Sequence, residues 1–151
     1  MVNLKLFVWA LVAGSFIPLV GILNGRAGRV LGDPLFACIL VFIVGLVLAI
    51  AVTAFTGRGM PDFQSFGQLK GIEYFAGFVV AFYVLSATVL AGKIGVANFI
   101  VMAVSGQIIF SLLIDHFGLF GAPIRTVNLL QLGGAIMLLG GLVITQLANG
   151  K

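Results

Sequence analysis

The charged residues divide this chain into five long uncharged runs. They cover residues 6–25, 34–57, 74–92, 94–114 and 126–150, which are 20, 24, 19, 21 and 25 residues long. A bilayer core about 30 Å thick is crossed by roughly 20 apolar residues in helical form. Each run is therefore long enough to span. Backbone polar groups find no water in lipid, so spanning runs of this kind must be helices. Only 8% of the 151 residues are charged and 62% are hydrophobic. A soluble domain carries about a quarter charged residues, and so short a chain could not hide five such runs from water. The expected fold class is an all-α membrane protein with five transmembrane helices. It is read as a single transmembrane domain over 1–151, with helices at about 4–31, 34–56, 72–92, 95–115 and 127–148.

An odd number of spans puts the two termini on opposite sides of the membrane. Lys5, Arg58, Lys70 and Arg125 fall on the N-terminal side, and Arg26, Arg29, Lys93 and Lys151 on the other. That is four against four. Orientation normally follows an excess of Lys and Arg in cytoplasmic loops, and this chain has no excess. Copies inserted both ways up, pairing antiparallel, are the expectation that follows.

The remaining charge pattern narrows the function classes. The sequence pI is near 9.7, yet the cations stand singly in loops and form no stripe, which excludes a nucleic-acid footprint. Cys38 is the sole cysteine. It permits no intramolecular disulfide and no thiolate cluster, and it reads as a small packing residue within the second run. There is one histidine, the four carboxylates are dispersed, and no phosphate-loop pattern occurs. No catalytic site, no metal site and no cofactor is expected, and the chain is not read as an enzyme. The first run resembles a signal segment, but no small-x-small cleavage site closes it, so it is read as an uncleaved first helix.

Small residues mark packing faces. Gly14, Pro18, Gly21, Gly25, Gly28 and Gly32 follow one another at steps of 4, 3, 4, 3 and 4, along one helix face. Gly133-Gly134 recurs as Gly140-Gly141 in the last helix. Such grooves let a second helix approach closely, within the chain or from another copy. Pro18 is expected to kink the first helix. Gly32-Asp33-Pro34 reads as a helix end, an N-cap and a first turn in succession, and Thr126 as the cap of the last helix.

Polar side chains within spans are costly and face bundle interiors or cavities. Gln107, Ser111 and Asp115 follow at i, i+4 and i+8 on the fourth helix, with Asn98 on another face. Tyr83, Ser86 and Thr88 lie on the third helix, and Ser15 and Asn24 on the first. Gln107, near mid-span, is either an interhelical hydrogen-bonding group or a substrate contact. Asn24, Tyr83, Asn98, Gln107 and Ser111 are the candidate substrate-binding residues. Glu73 opens the third helix, where the dipole favours a carboxylate. Asp115 closes the fourth, against that preference, so a partner in Arg125 or Lys70 is expected. Glu73 and Asp115 are the candidates for coupling to an ion. Arg26 and Arg29 meet lipid phosphates or an anionic substrate.

Ser105-Gly106-Gln107, followed by Asp115-His116-Phe117-Gly118, resembles the YdcZ-type family of small inner-membrane proteins, within the drug/metabolite transporter superfamily. The likeness extends to Leu23-Asn24-Gly25-Arg26 with Leu31-Gly32-Asp33-Pro34, and to the paired glycines of the last helix. Gln131 departs from it, because many relatives carry a basic residue near that position, which weakens any phosphate- or anion-binding role carried over to the last helix. The resemblance implies half of a ten-helix inverted-repeat transporter, located as a multi-pass protein in the bacterial inner membrane. The implied function is export of a small molecule or metabolite, and with the balanced charges and odd span count the expected mechanism is alternating access as an antiparallel dual-topology homodimer. The lipid bilayer, a small-molecule substrate and a second copy are the expected partners, and nucleic acid is not. A small ion channel, a non-transporting membrane assembly subunit and a half-transporter paired with a paralogue are the rivals.

Overall fold

The computed structural model describes residues 3–57, 59 and 61–149. Two of the cations counted above, Arg58 and Lys151, lie outside the described residues. The elements are α1 (Leu4–Leu31), α2 (Pro34–Phe55), α3 (Phe63–Phe66), α4 (Gly71–Ile94), α5 (Val96–Phe117) and α6 (Leu129–Asn149), with one short 3-10 turn at Leu119–Gly121. All except α3 are long and apolar enough to cross a membrane. The five-helix all-α class expected from the run lengths is the one observed, and no strand occurs among the described residues. Large apolar side chains such as Trp9, Leu46 and Phe82 are exposed along the helices. Lipid tails are as apolar as these side chains, so such exposure is unremarkable in a bilayer.

Local chemistry sets the helix ends. Asn3 caps α1, its side chain accepting from Lys5 N at 3.1 Å. Gly32 then turns left-handed at φ 84°. The Asp33 carboxylate accepts from Leu35 N at 2.6 Å, and Pro34 fills the first helical position of α2, where its missing N–H costs nothing. Pro18 lies within α1, which continues through it from Leu4 to Leu31. The segment after α2 contains the four-residue α3, which lies between the second and third spans. Tyr74 ties it to α4 by donating its hydroxyl to Phe66 O at 3.0 Å. One residue, Gly95, joins α4 to α5 at φ 87° and ψ 148°. That region of backbone space is open essentially to glycine alone.

The last helix starts later than Thr126. Asn128 and Gln131 cap it reciprocally: Gln131 N donates to Asn128 Oδ1 at 2.8 Å, and Asn128 N to Gln131 Oε1 at 3.2 Å. This is a capping box. Thr126 and Val127 are non-helical instead, and Val127 N donates to His116 Nδ1 at 3.4 Å.

The chain forms two compact units, Met1–Val96 and Ala97–Lys151. In the first, α1 packs against both α2 and α4, and those two touch each other. Its interior is built from small side chains: Ala37, Cys38, Ala87 and Ala91, with Val84. A carbon built on Gly21 would stand 3.1 Å from Ala91 Cβ, so the α1–α4 approach is close enough to favour glycine there. One built on Gly28 would meet Pro34 Cα at 3.1 Å. The second unit comprises α6 and α5 but for its first residue, Val96. Ile109, Leu112, His116, Ala135 and Leu139 border an apolar cleft in it.

Candidate functional site

Three helices bring three polar side chains to one point inside the first unit. Asn24 of α1, Cys38 of α2 and Thr88 of α4 are all buried, Asn24 at 2% and Thr88 at 4% exposure. Asn24 Nδ2 donates to Thr88 Oγ1 at 3.1 Å, and Cys38 Sγ lies 3.4 Å from the same oxygen and 4.0 Å from Asn24 Nδ2. The Thr88 hydroxyl proton goes to Val84 O at 2.8 Å, one turn back. Every group in the cluster is thus engaged, which is the condition under which polar atoms are tolerated in a dry interior. Cys38 is packed, as its residue type suggests, but it also stands in a polar contact.

In the same unit, Tyr83 is half-buried and Glu73 is exposed in the first turn of α4. Gly21 and Gly28 make the close approaches described above, whereas Gly14 has nothing within 4 Å and Gly25 is bordered only by the Arg29 side chain.

The second unit holds the other candidates. Asn98 is half-buried, and its Oδ1 accepts from Gln146 Nε2 of α6 at 3.2 Å. Gln146 was not singled out from the sequence. As an amide-bearing side chain within an apolar span it was the available signal, because such a group needs a partner in lipid. Ser111 is exposed and returns its hydroxyl to Ile108 O at 2.9 Å. Asp115 is half-buried near the end of α5. Its contact with Arg125 runs through the backbone, Arg125 N donating to Asp115 O at 2.8 Å. Gln107 is exposed at the middle of α5, and its amide has no hydrogen-bond partner among the described residues. Gly133, Gly134, Gly140 and Gly141 have nothing within 4 Å of a built side-chain carbon.

No three His, Cys, Asp or Glu side chains converge among the described residues in a way that could hold a metal ion. What these groups can do is hydrogen-bond: two engaged pairs fix helices, and one amide at mid-helix is left to meet something outside its own unit's bonding.

The family model described as "Putative inner membrane exporter, YdcZ" matches residues 5–144. No curated protein and no solved structure gives a match.

Proposed function

The chain belongs to the YdcZ family of inner-membrane exporters, matched over residues 5–144, and from that premise we propose that it carries a small molecule by alternating access as an antiparallel pair of copies. It is a multi-pass inner-membrane protein. The finer reading concerns how five spans form a pathway.

The observation that carries it is Gln107. Ten residues of α5 follow it before the helix ends at Phe117, and eleven precede it from Val96. An amide there lies near the centre of a span, where an unpaired polar group is expensive. The groups that can satisfy it are a polar cavity with its substrate, or a second copy. Transporter substrates bind near the midplane between inverted repeats. A flipped second copy supplies the inverted repeat that one five-span chain lacks, and the four-against-four division of cations leaves either orientation available.

In this reading Gln107 contacts the substrate directly, with Ser111 one turn on. Tyr83 and Asn98 border the pathway, and Asn24 acts at one remove, since its amide already holds α1 to α4. Glu73 and Asp115 serve coupling if transport is driven by protons. A facilitator uses neither. No catalytic step is assigned to any residue.

Two measurements test this. Reporters active only in the cytoplasm or only in the periplasm, fused to the C-terminus, should both give signal. A single positive reporter refutes dual topology. Two or three lysines added beside Lys151 should then force one orientation and abolish flux. In liposomes challenged with a metabolite panel, Gln107→Leu should lower the flux of the transported compound about tenfold, the worth of one hydrogen bond of roughly 1.4 kcal/mol. Unchanged flux removes Gln107 from the pathway. Conductance far above carrier turnover would make the protein a channel.

A further inference from the structure

The first unit contains a cavity of about 330 Å³ where α1 and α4 end and α2 begins. Gly25, Gly28, Arg29 and Gly32 line it from one side, and Thr88 and Lys93 from the other. We propose that this cavity is an anion site that takes the phosphate group of one molecule, held between the Arg29 guanidinium and the Lys93 ammonium.

Three observations carry the assignment. The first is the direction of Arg29. It stands in the last turn of α1, where the nearest water lies beyond the C-terminal end. A long cationic side chain so placed ordinarily snorkels toward that water. Here a carbon built on Gly25 would lie 3.9 Å from Arg29 Nη1, so the guanidinium folds back one turn over Gly25, toward the membrane interior. The glycine leaves the groove open for it.

The second is charge. Lys93, in the last turn of α4, lines the same cavity. Neither cation has a carboxylate partner among the described residues. Asp33 is the acidic residue nearest in sequence to Arg29, and its carboxylate is engaged in capping Leu35 N. Each cation is favoured where it stands by its own helix C-terminus. Both side chains are exposed and line one cavity, and an anion bound there would meet both. A guanidinium pairs with phosphate through two parallel N–H donors, and an ammonium adds a point charge.

The third is the floor. Thr88 is 4% exposed and lines the cavity. Its hydroxyl proton is already given to Val84 O, so the floor closes the site without donating to the ligand. Recognition therefore falls on Arg29 and Lys93. Arg26, three residues earlier, makes a contrast: it borders a separate apolar cleft with Leu23, Ala27, Val30 and Leu40.

The phosphate has two possible sources, an anionic phospholipid headgroup or a water-soluble phosphate ester. The test uses the full chain in neutral detergent, with thermal unfolding and equilibrium binding as readouts. The probes are short-chain phosphatidylglycerol, sn-glycerol 3-phosphate and, as the zwitterionic control, short-chain phosphatidylcholine. Saturable binding of either anionic probe, with none of the control, is the expected result. Activity of the soluble ester identifies a free ligand, and activity of the lipid alone identifies a headgroup. Arg29→Gln and Lys93→Gln should each weaken binding about tenfold or more, as loss of a charge-assisted hydrogen bond requires. Arg26→Gln, which removes the same charge at the same interface, should stay within twofold. If Arg29→Gln does not fold, Gly25→Leu fills the groove under the guanidinium while leaving both charges in the chain, and should give the same loss. Absence of saturable binding by both anionic probes overturns the proposal, and so does equal weakening by Arg26→Gln and Arg29→Gln. Binding is read without flux, so failure of the transport reading leaves this site standing.

Discussion

Thr88→Val exchanges a hydroxyl for a methyl of almost the same shape at a position 4% exposed. The exchange creates no cavity. It removes the oxygen that Asn24 Nδ2 reaches at 3.1 Å and that Cys38 Sγ approaches at 3.4 Å. Asn24, itself 2% exposed, is then left with the Cys38 sulfur at 4.0 Å, a weak acceptor. Interhelical hydrogen bonds in membranes average about 0.6 kcal/mol by double-mutant cycle and reach about 1.7. A stranded buried amide places this site at the upper end, so Thr88→Val should destabilise by about 1–2 kcal/mol. The intrahelical bond from Thr88 to Val84 O is lost as well. That loss also occurs when Thr88→Val is made in an Asn24→Ala background, and it cancels in the cycle. The coupling energy isolates the α1–α4 clasp, and it should exceed about 0.5 kcal/mol. Reversible unfolding in mixed micelles, followed by circular dichroism, gives all four corners. If Thr88→Val costs the same in both backgrounds, Asn24 and Thr88 are not partners, and the account of the first unit's interior fails.

The glycines make two further predictions. Gly28→Ala places a carbon 3.1 Å from the Pro34 Cα, a backbone atom that cannot swing aside, and should cost about 1–3 kcal/mol in the same unfolding assay. Gly14→Ala meets nothing within 4 Å and should be neutral or slightly stabilising. For Gly134→Leu and Gly141→Leu the first side-chain carbon likewise meets nothing within 4 Å. They should leave monomer stability within about 0.5 kcal/mol and, if α6 packs against a second copy, abolish cysteine cross-linking between copies. Intact cross-linking takes α6 out of the pair's contact.

The spans were legible because run length is a local property: five uncharged runs of at least 19 residues have one solution in lipid. The α1–α2 joint was legible for the same reason, since Gly32, Asp33 and Pro34 each act on their own neighbours. Where the chemistry needs a partner far along the chain, the sequence falls short. Asn24 was read as lining a cavity because its polarity was visible. Its bond to Thr88, 64 residues away, depends on how α1 packs on α4. Asn98 finds Gln146, 48 residues on, in the same way. The α3 turn spans only four residues, too few to show any periodicity. From the sequence Thr126 reads as the cap of the last helix. The cap is Asn128, because the Val127 amide is drawn to His116 and the segment stays non-helical that far. Arg29 and Lys93 read from the sequence as separate interfacial charges. Only the meeting of two helix ends makes them neighbours of one cavity.

The connectors decide where this protein can be labelled. Two residues, Gly32 and Asp33, separate α1 from α2, and Gly95 alone separates α4 from α5. Both joints have a residue at positive φ, at 84° and 87°, and neither has slack for an inserted epitope. The roomier segments, between Phe55 and Gly71 and between Phe117 and Leu129, alternate with the tight joints along the chain, so five crossings would leave both on the same side of the membrane. An internal tag in either segment would therefore report only that side of the membrane for any given copy. A mixed population would betray itself as a single tag that antibodies find on both sides of a sealed vesicle.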